Sequence, residues 1–261
     1  MSNPLPRVTI AVSSLNQGRF LGDALQSIFS QNIPVEVFVA DGGSTDDTLS
    51  IIKKWESRLM GWRSHPDNGQ AAAINESIAK GKAPYVAWLN SDDLYLPGGL
   101  SALLSALEQH PEWPGVYAQA WNVDARLKRK SKVWVQPFSE RRLAMFCIIS
   151  QPATLIQRKM WEAVGGLRED LHMAMDYDLW WRLYRKFGPL GYIEREVALN
   201  RDHDQTKTKT RRKRHYQEAV AVVREHYGRV PIKWWLAWPI SVWLRSWITP
   251  QNFLENRRIK H

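Results

Sequence analysis

The sequence predicts an α/β fold: a mostly parallel central sheet flanked by helices, followed by a helical, tryptophan-rich C-terminal tail. Three observations carry this prediction. Apolar runs of strand length alternate with segments of helical period over the first hundred residues, the pattern of parallel strands joined by right-handed crossovers. The strand-like runs end abruptly in small polar and acidic residues, as strands do where open α/β sheets bind ligands. Beyond residue 210 the composition turns basic and rich in tryptophan.

Residues 8–13, Val-Thr-Ile-Ala-Val-Ser, read as the first strand. After the loop 14–18, Phe20, Leu21, Ala24, Leu25, Ile28 and Phe29 recur at helical spacing, which predicts an amphipathic helix to about Ser30. Pro34 breaks the chain and residues 35–40 form the second strand, ending in Asp41-Gly42-Gly43-Ser44-Thr45-Asp46-Asp47. Ser44 or Thr45 suits the cap of the next helix, with Asp46 and Asp47 at its positive end. Residues 61–64 make a weak third strand, and an alanine-rich helix follows over 70–79. Residues 85–89, Tyr-Val-Ala-Trp-Leu, read as a fully buried strand that runs into Asn90-Ser91-Asp92-Asp93. Adjacent carboxylates at a strand end suit Mg²⁺ or Mn²⁺, hard cations that bridge to phosphates; a solvated turn before Pro97 is the plainer alternative. Helix is predicted over 99–110, strands over 115–124 and 132–138, and between them an exposed basic hairpin at Arg126–Lys130. Residues 151–156 are extended, 158–164 helical, and 176–187 a helix with Asp176 near its N-terminus, where the dipole favours a carboxylate. The polar stretch 200–207 mixes cations, a histidine and hydroxyls, which suits contact with a diphosphate.

The chain of 261 residues holds +10 net charge, and its distribution is uneven. Residues 1–130 carry 12 Lys+Arg against 13 Asp+Glu, and residues 131–261 carry 24 against 13. Nucleic acid, an anionic membrane and a phosphorylated substrate all fit such an excess. A nucleic-acid reading leaves Asp41, Asp92 and Asp176 at strand and helix ends unexplained, since they repel phosphate without a metal. The single cysteine, Cys147, predicts no intrachain disulfide. Residues 1–6 show neither a basic n-region nor an apolar h-region, so cytoplasmic location is the expectation. No G-x-G-x-x-G and no G-x-x-x-x-G-K-[ST] occurs, which argues against dinucleotide Rossmann and P-loop sites.

Taken in order, Val8 to Asn16, Asp41-Gly42-Gly43-Ser44-Thr45-Asp46, Asn68-Gly69-Gln70 through Asn75, Leu89-Asn90-Ser91-Asp92-Asp93, Gln151-Pro152-Ala153-Thr154, Gly165-Gly166-Leu167 and Asp176-Tyr177-Asp178-Leu179-Trp180 resemble the motifs of a family 2 glycosyltransferase of the GT-A fold. The resemblance covers residues 7–207 and points to bacterial members that build cell-surface polysaccharides. It implies a catalytic domain over 1–210, with a nucleotide-sugar half at 1–100, an acceptor half at 101–210, and a separate basic tail at 211–261. It implies that Ser13 and Leu15 touch the base and ribose of a UDP- or dTDP-sugar, and that Asp41 accepts the base N3–H. Asn68, Gln70 and Asn75 would line the donor pocket. Asn90-Ser91-Asp92 occupies a D-x-D-like position, with Ser91 near the ribose and Asp92 as ligand of Mn²⁺ or Mg²⁺. His203 matches a residue that reaches the metal or the diphosphate. Asp176 matches the base of an inverting transfer, with Asp178 as its competitor. Asn90 and Met175 depart from the family pattern, so a non-catalytic sugar-nucleotide binder is the alternative.

Arg201, His203 and Lys207 are expected to close over the donor phosphates as a lid. In the tail, Arg211-Arg212-Lys213-Arg214 opens a helix with Ala219, Val222 and Val223 on one side. Residues 230–248 are apolar but interrupted by Lys233, Pro239 and Arg245, too broken for a span of about 20 apolar residues. Five of the fourteen tryptophans lie beyond residue 230, and Arg257, Arg258 and Lys260 follow. This predicts an interfacial segment over 230–261 on the inner face of an anionic membrane, with a glycan or polyprenyl-diphosphate-linked sugar as acceptor. Packing on the catalytic domain or a homodimer is the alternative for the tail.

Overall fold

The computed structural model describes residues 4–204 and 206–239. Four parallel strands and the helices that join them form its first half: β1 (Val8–Ser14), α1 (Gly18–Phe29), β2 (Val35–Asp41), α2 (Thr48–Trp55), β3 (Gly61–Ser64), α3 (Gln70–Lys80) and β4 (Tyr85–Asn90). Their order is β3-β2-β1-β4, so β1 lies between β2 and β4 and Ser13 stands opposite both Ala40 and Asn90. The strand ends of this half therefore converge on one rim.

Beyond β4 come β5 (Leu94–Tyr95), α4 (Gly99–Gln109), β6 (Gly115–Val123), β7 (Arg129–Lys132), α5 (Glu140–Met145), β8 (Thr154–Gln157), α6 (Arg158–Ala163), α7 (Met175–Phe187) and β9 (Gly191–Arg201). β8 joins the sheet antiparallel to β4, β6 runs antiparallel to β8, and β9 lies parallel to β6. β5 pairs antiparallel with β9, which returns the end of β9 to the rim where β4 stops.

The alternation of β4 explains why both faces of the sheet are covered. Val86 and Trp88 enter one core and Ala87 and Leu89 the other. Leu21, Leu25 and Ile28 of α1 and Leu100, Leu103 and Leu107 of α4 fill the second core. The first core takes Ile74 and Ile78 of α3 together with the aromatic face of α7. Trp88 stacks on Trp180 of α7 with ring centroids 5.8 Å apart and 16° between planes. Such pairs add about 0.5–1.5 kcal/mol beyond area burial, and this one ties α7 to the strand that ends at Asn90.

Three expectations change. The strand expected at 132–138 lies instead at Arg129–Lys132, where all four residues are exposed and the strand is held by backbone pairing with β6. β9 is an eleven-residue strand that hydrophobic periodicity did not announce. Its register on β6 shifts twice, between Ala118 and Gln119 and again before Ala120, so its apolar residues do not alternate cleanly. The boundary expected after residue 210 does not set the next helix apart. After α8 (Lys207–Thr210), α9 (Arg212–Tyr227) buries Ala219, Val222 and Val223 in the core shared with α7. α9 ends at Gly228, whose φ of 77° is the left-handed conformation of a helix stop. α10 (Ile232–Trp238) follows, and residues 240–261 of the expected interfacial segment lie outside the described residues.

Candidate active site

The rim where β1, β2 and β4 end carries most of the expected donor residues. Asn90, the last residue of β4, is the centre of a side-chain chain. Its Oδ1 accepts from Gln70 Nε2 at 2.7 Å, and its Nδ2 donates to Asp93 Oδ2 at 3.1 Å and to Gln151 Oε1 at 3.3 Å. Gln70 also donates to Ser13 Oγ at 3.2 Å and accepts from Lys207 Nζ at 2.7 Å. Gln151 in turn donates to the carbonyl of Trp88 at 2.7 Å. An amide at position 90 both accepts and donates, which an ionised aspartate cannot do. That gives a physical reason for Asn90: it can bond to Asp93 without adding a third carboxylate.

The two aspartates differ in role. Asp93 is buried, accepts the backbone N–H of Arg201 at 3.0 Å, and has its carboxyl pushed well up by burial and then by the neighbouring Asp92. It fastens the strand end to β9 and has little to offer a cation. Asp92 is partly open, and its Oδ2 lies 2.9 Å from Nε2 of His203. His203 is held by its backbone N–H to Thr206 Oγ1 at 3.0 Å and by a tilted contact with the Phe20 ring. A carboxylate oxygen and an imidazole nitrogen converging at the crevice form a donor pair that suits Mn²⁺ and Mg²⁺ in part, with further places left for phosphate oxygen and water. The acidic and histidine group Asp178, Glu225 and His226 is a poorer fit, because Arg168 and Arg182 already occupy its carboxylates.

Leu15 projects at the end of β1 with 57% of its surface exposed, as a base platform requires. Asp41 is fully buried, and its oxygens accept from the Ser44 hydroxyl at 2.5 Å, the Ser44 N–H at 2.9 Å and the Ser64 hydroxyl at 2.6 Å. A base therefore reaches Asp41 only if the Gly43–Ser44 turn yields. Ser91 is buried beneath the strand end, and Asn68 is exposed in the turn before α3.

Two residues expected at the donor, Asn75 in its pocket and Arg201 in its lid, have other partners in the structure. Asn75 brackets Leu167, donating to its carbonyl at 2.8 Å and accepting its N–H at 2.9 Å. Gly166 must be glycine beside it, since its φ is +67° and an added Cβ would lie 2.7 Å from Asn75 Oδ1. Arg201 is 2% exposed, lies over the Phe20 ring at 4.3 Å and pairs with Asp23 at 3.0 Å. Its guanidinium braces α1 against β9 and is not placed to close over phosphates. Lys207 is exposed and bridges to Gln70 at the start of α3.

The carboxylates of α7 separate cleanly. Asp178 is fully buried and accepts from Arg182 Nε at 2.6 Å and His226 Nε2 at 2.9 Å, with Arg168 at 3.4 Å. Burial pushes its carboxyl up, but the bonds from His226 and Arg182 hold it below the usual range. It is a structural hub. Asp176, in the first turn, is half-buried, and among the described residues its carboxylate accepts only the N–H of Tyr177, at 2.8 Å, from another residue. Burial raises its carboxyl, with His215 of α9 nearby as an opposing influence. This leaves Asp176 with spare lone pairs in the first turn of α7, one requirement of a proton acceptor.

Sequence reasoning missed what holds that mouth. Oε2 of Glu218 accepts the backbone N–H groups of His172, Met173 and Ala174 at 3.0, 2.7 and 3.1 Å. Its other oxygen accepts from Arg214 Nε at 2.8 Å. The spacing of Arg214, His215 and Glu218 on one helix gave a local signal of a shared face, but nothing local says what that face meets.

The sequence profile of Glycosyl transferase family 2 matches residues 9–159. The chain is 26% identical over 200 residues to chondroitin synthase of Escherichia coli, a match that covers 76% of this chain and 29% of that protein. It thus spans less than a third of that relative's length. Among solved structures, the mannosyltransferase PcManGT from Pyrobaculum calidifontis in complex with GDP-Man and Mn²⁺ aligns over 95% of this chain and 73% of its own, with TM-score 0.67 and 19% identity. S. aureus TarS 1-349 in complex with UDP-GlcNAc aligns over 86% of this chain and 67% of its own, with TM-score 0.67 and 14% identity. These likenesses establish the GT-A fold.

Proposed function

The chain belongs to glycosyl transferase family 2, and we propose that it moves a sugar from a nucleoside-diphosphate donor to a hydroxyl of a glycan or lipid-linked acceptor, with inversion at the anomeric carbon. The observations that carry this reading are the pairing of Asp92 with His203 where β4 ends, and an α7 carboxylate, Asp176, that is not tied up in an ion pair, on a helix whose preceding loop touches the turn before α3 through His172 and Gly69. Leu15 and Ser13 hold the nucleoside, and Gln70 and Lys207 lie over the phosphates. Asp176 takes the proton of the acceptor hydroxyl as that oxygen bonds to the anomeric carbon. The bond from that carbon to the donor oxygen breaks, and its electron pair leaves with the diphosphate. Asp92 and His203 would hold a divalent ion, which supplies charge neutralisation to the leaving group when bound.

Calorimetry with UDP-, dTDP- and GDP-sugars, each with Mn²⁺ and with EDTA, tests the donor site. One donor should bind, and EDTA or Asp92→Ala should weaken it by at least tenfold. Binding of no donor would sink the enzyme reading. Binding indifferent to both EDTA and Asp92→Ala would remove the ion and leave Lys207 as the main cation.

The tail adds a second expectation. Among the described residues no helix is long and apolar enough to cross a membrane. α10 nevertheless exposes Ile232, Trp235 and Leu236 to 75, 56 and 70%, at helical spacing on one side. Its Trp234 turns the other way and donates to the carbonyl of Ala144 at 2.8 Å. An apolar ridge beside Lys233 and Arg229 suits an anionic lipid surface, which supports a lipid-linked acceptor. Trp235→Ala with Leu236→Ala should abolish flotation with anionic vesicles, and unchanged flotation would count against the ridge.

A further inference from the structure

We propose that Glu218 is a positioning residue for the proton-accepting carboxylate, a role that rests on the reading of Asp176 as the base. α7 has no side-chain cap of its own: its flanking residue is Ala174, which has no group to offer the free N–H donors of the first turn. What holds the loop leading into α7 comes from another helix, 44 residues later in the chain. One carboxylate oxygen gathers three successive N–H groups, those of His172, Met173 and Ala174, at 2.7–3.1 Å. Three successive amides on one anion fix the backbone direction of the loop more tightly than a single bond can. Asp176 follows two residues after the last of them, so the direction of the loop sets where its carboxylate points.

The support has a second layer. Arg214 holds the free oxygen of Glu218 at 2.8 Å, one helical turn earlier on α9. The bonds of the loop hold the Glu218 carboxyl down against burial, so it stays ionised and keeps its accepting capacity. The same face of α9 presents His215, which interacts with both Asp176 and Glu218. Burial keeps the His215 pKa low, so the two carboxylates are not bridged by a strong cation there. On the other side of the loop, His172 comes to the turn of the donor half: its Nδ1 lies 3.4 Å from where a Cβ on Gly69 would sit. The loop that Glu218 holds is therefore the piece that sets the base against the donor rim. Misplacement of a reacting group by about 1 Å costs on the order of 10²-fold in rate.

The test compares Glu218→Ala, Glu218→Gln and Asp176→Asn in the full chain. Donor affinity is read by calorimetry, turnover with saturating donor, and amide exchange along the chain by mass spectrometry. Glu218→Ala should lower kcat by about 10²-fold, with donor Kd within twofold of the parent. Exchange should quicken over residues 172–178 and stay unchanged in β1, β2 and β4. Glu218→Gln keeps an accepting oxygen and should recover part of the loss. Turnover within twofold of the parent in Glu218→Ala would overturn the proposal. So would loss of donor affinity together with faster exchange throughout, which marks a general structural role. If Asp176→Asn keeps full activity, the base assignment fails, whatever Glu218 does.

Discussion

Asp176→Asn should lower kcat by about 10³-fold while leaving donor affinity within twofold, since general-base catalysis contributes on the order of 10²–10⁴-fold. The amide keeps the shape of the side chain and its bond to the Tyr177 N–H, and loses only the capacity to take a proton. The pH dependence follows from the direction of the shift. Burial raises the Asp176 carboxyl, and the base acts only when ionised. The acid limb of kcat/KM should therefore lie above the value of about 3.9 for a free aspartate, and Asp176→Asn should remove it. Its effect on stability has the opposite sense. A raised carboxyl favours the folded state when protonated, so that contribution is full below about pH 3.9 and is lost as pH rises through the raised value. A pH–rate profile with its limb at or below the free-aspartate value would show that the acting base is another group.

Asp178→Ala should act on the fold instead. It removes the buried partner of Arg182 and His226 and leaves the Arg182 guanidinium without its carboxylate in the core of α7 and α9. Breaking a buried ion pair costs about 3–5 kcal/mol. For a domain of this size that corresponds to a fall in Tm of roughly 10 °C. Because the Asp178 carboxyl is held down, its contribution is present above the unfolded value and disappears as pH falls through the lower folded one. Thermal unfolding followed at pH 7 and again near pH 3 checks both statements: the gap between parent and variant should close in acid. A variant that melts with the parent at neutral pH would deny Asp178 its place as a hub.

Two aspartates, two residues apart on one helix, thus have roles that their sequence context leaves open. Residue type, order and spacing placed both near the start of α7. The resemblance already favoured Asp176 as the base; the structure adds that Arg182, Arg168 and His226, the last 48 residues away in the chain, occupy Asp178. The same division holds across the fold. β4 was legible because five apolar residues followed by Asn90-Ser91-Asp92-Asp93 state both a strand and its end. β3 was legible at its true bounds despite its weakness, because turn residues flank it closely. β7 was not, because Arg129 to Lys132 are exposed and carry no apolar signature, while the Val133 and Val135 beyond them do. β9 was hidden by its two register shifts. At the end of β4, Gln70 with Asn90 and Asp92 with His203 were named from sequence and pair in the structure. Asn75 and Arg201 were named too, but Leu167 and Asp23 claim them, and neither partner is close in sequence.

The place of Glu218 in the chain has a consequence for the order of synthesis. Domains are made from the N-terminus and begin to fold as they emerge. β1, β2 and β4, with the rim they share, are complete once about residue 95 has emerged, and α7 with Asp176 by residue 187. The clamp on the loop before Asp176 is still missing at that stage, and so is His226 for Asp178. A chain of that length has the strand rim but still lacks His203 and Lys207 as well as the clamp on the loop before Asp176. If Asp176 is the base as proposed, competence to transfer arrives only when α9 has been made and docked, late in synthesis.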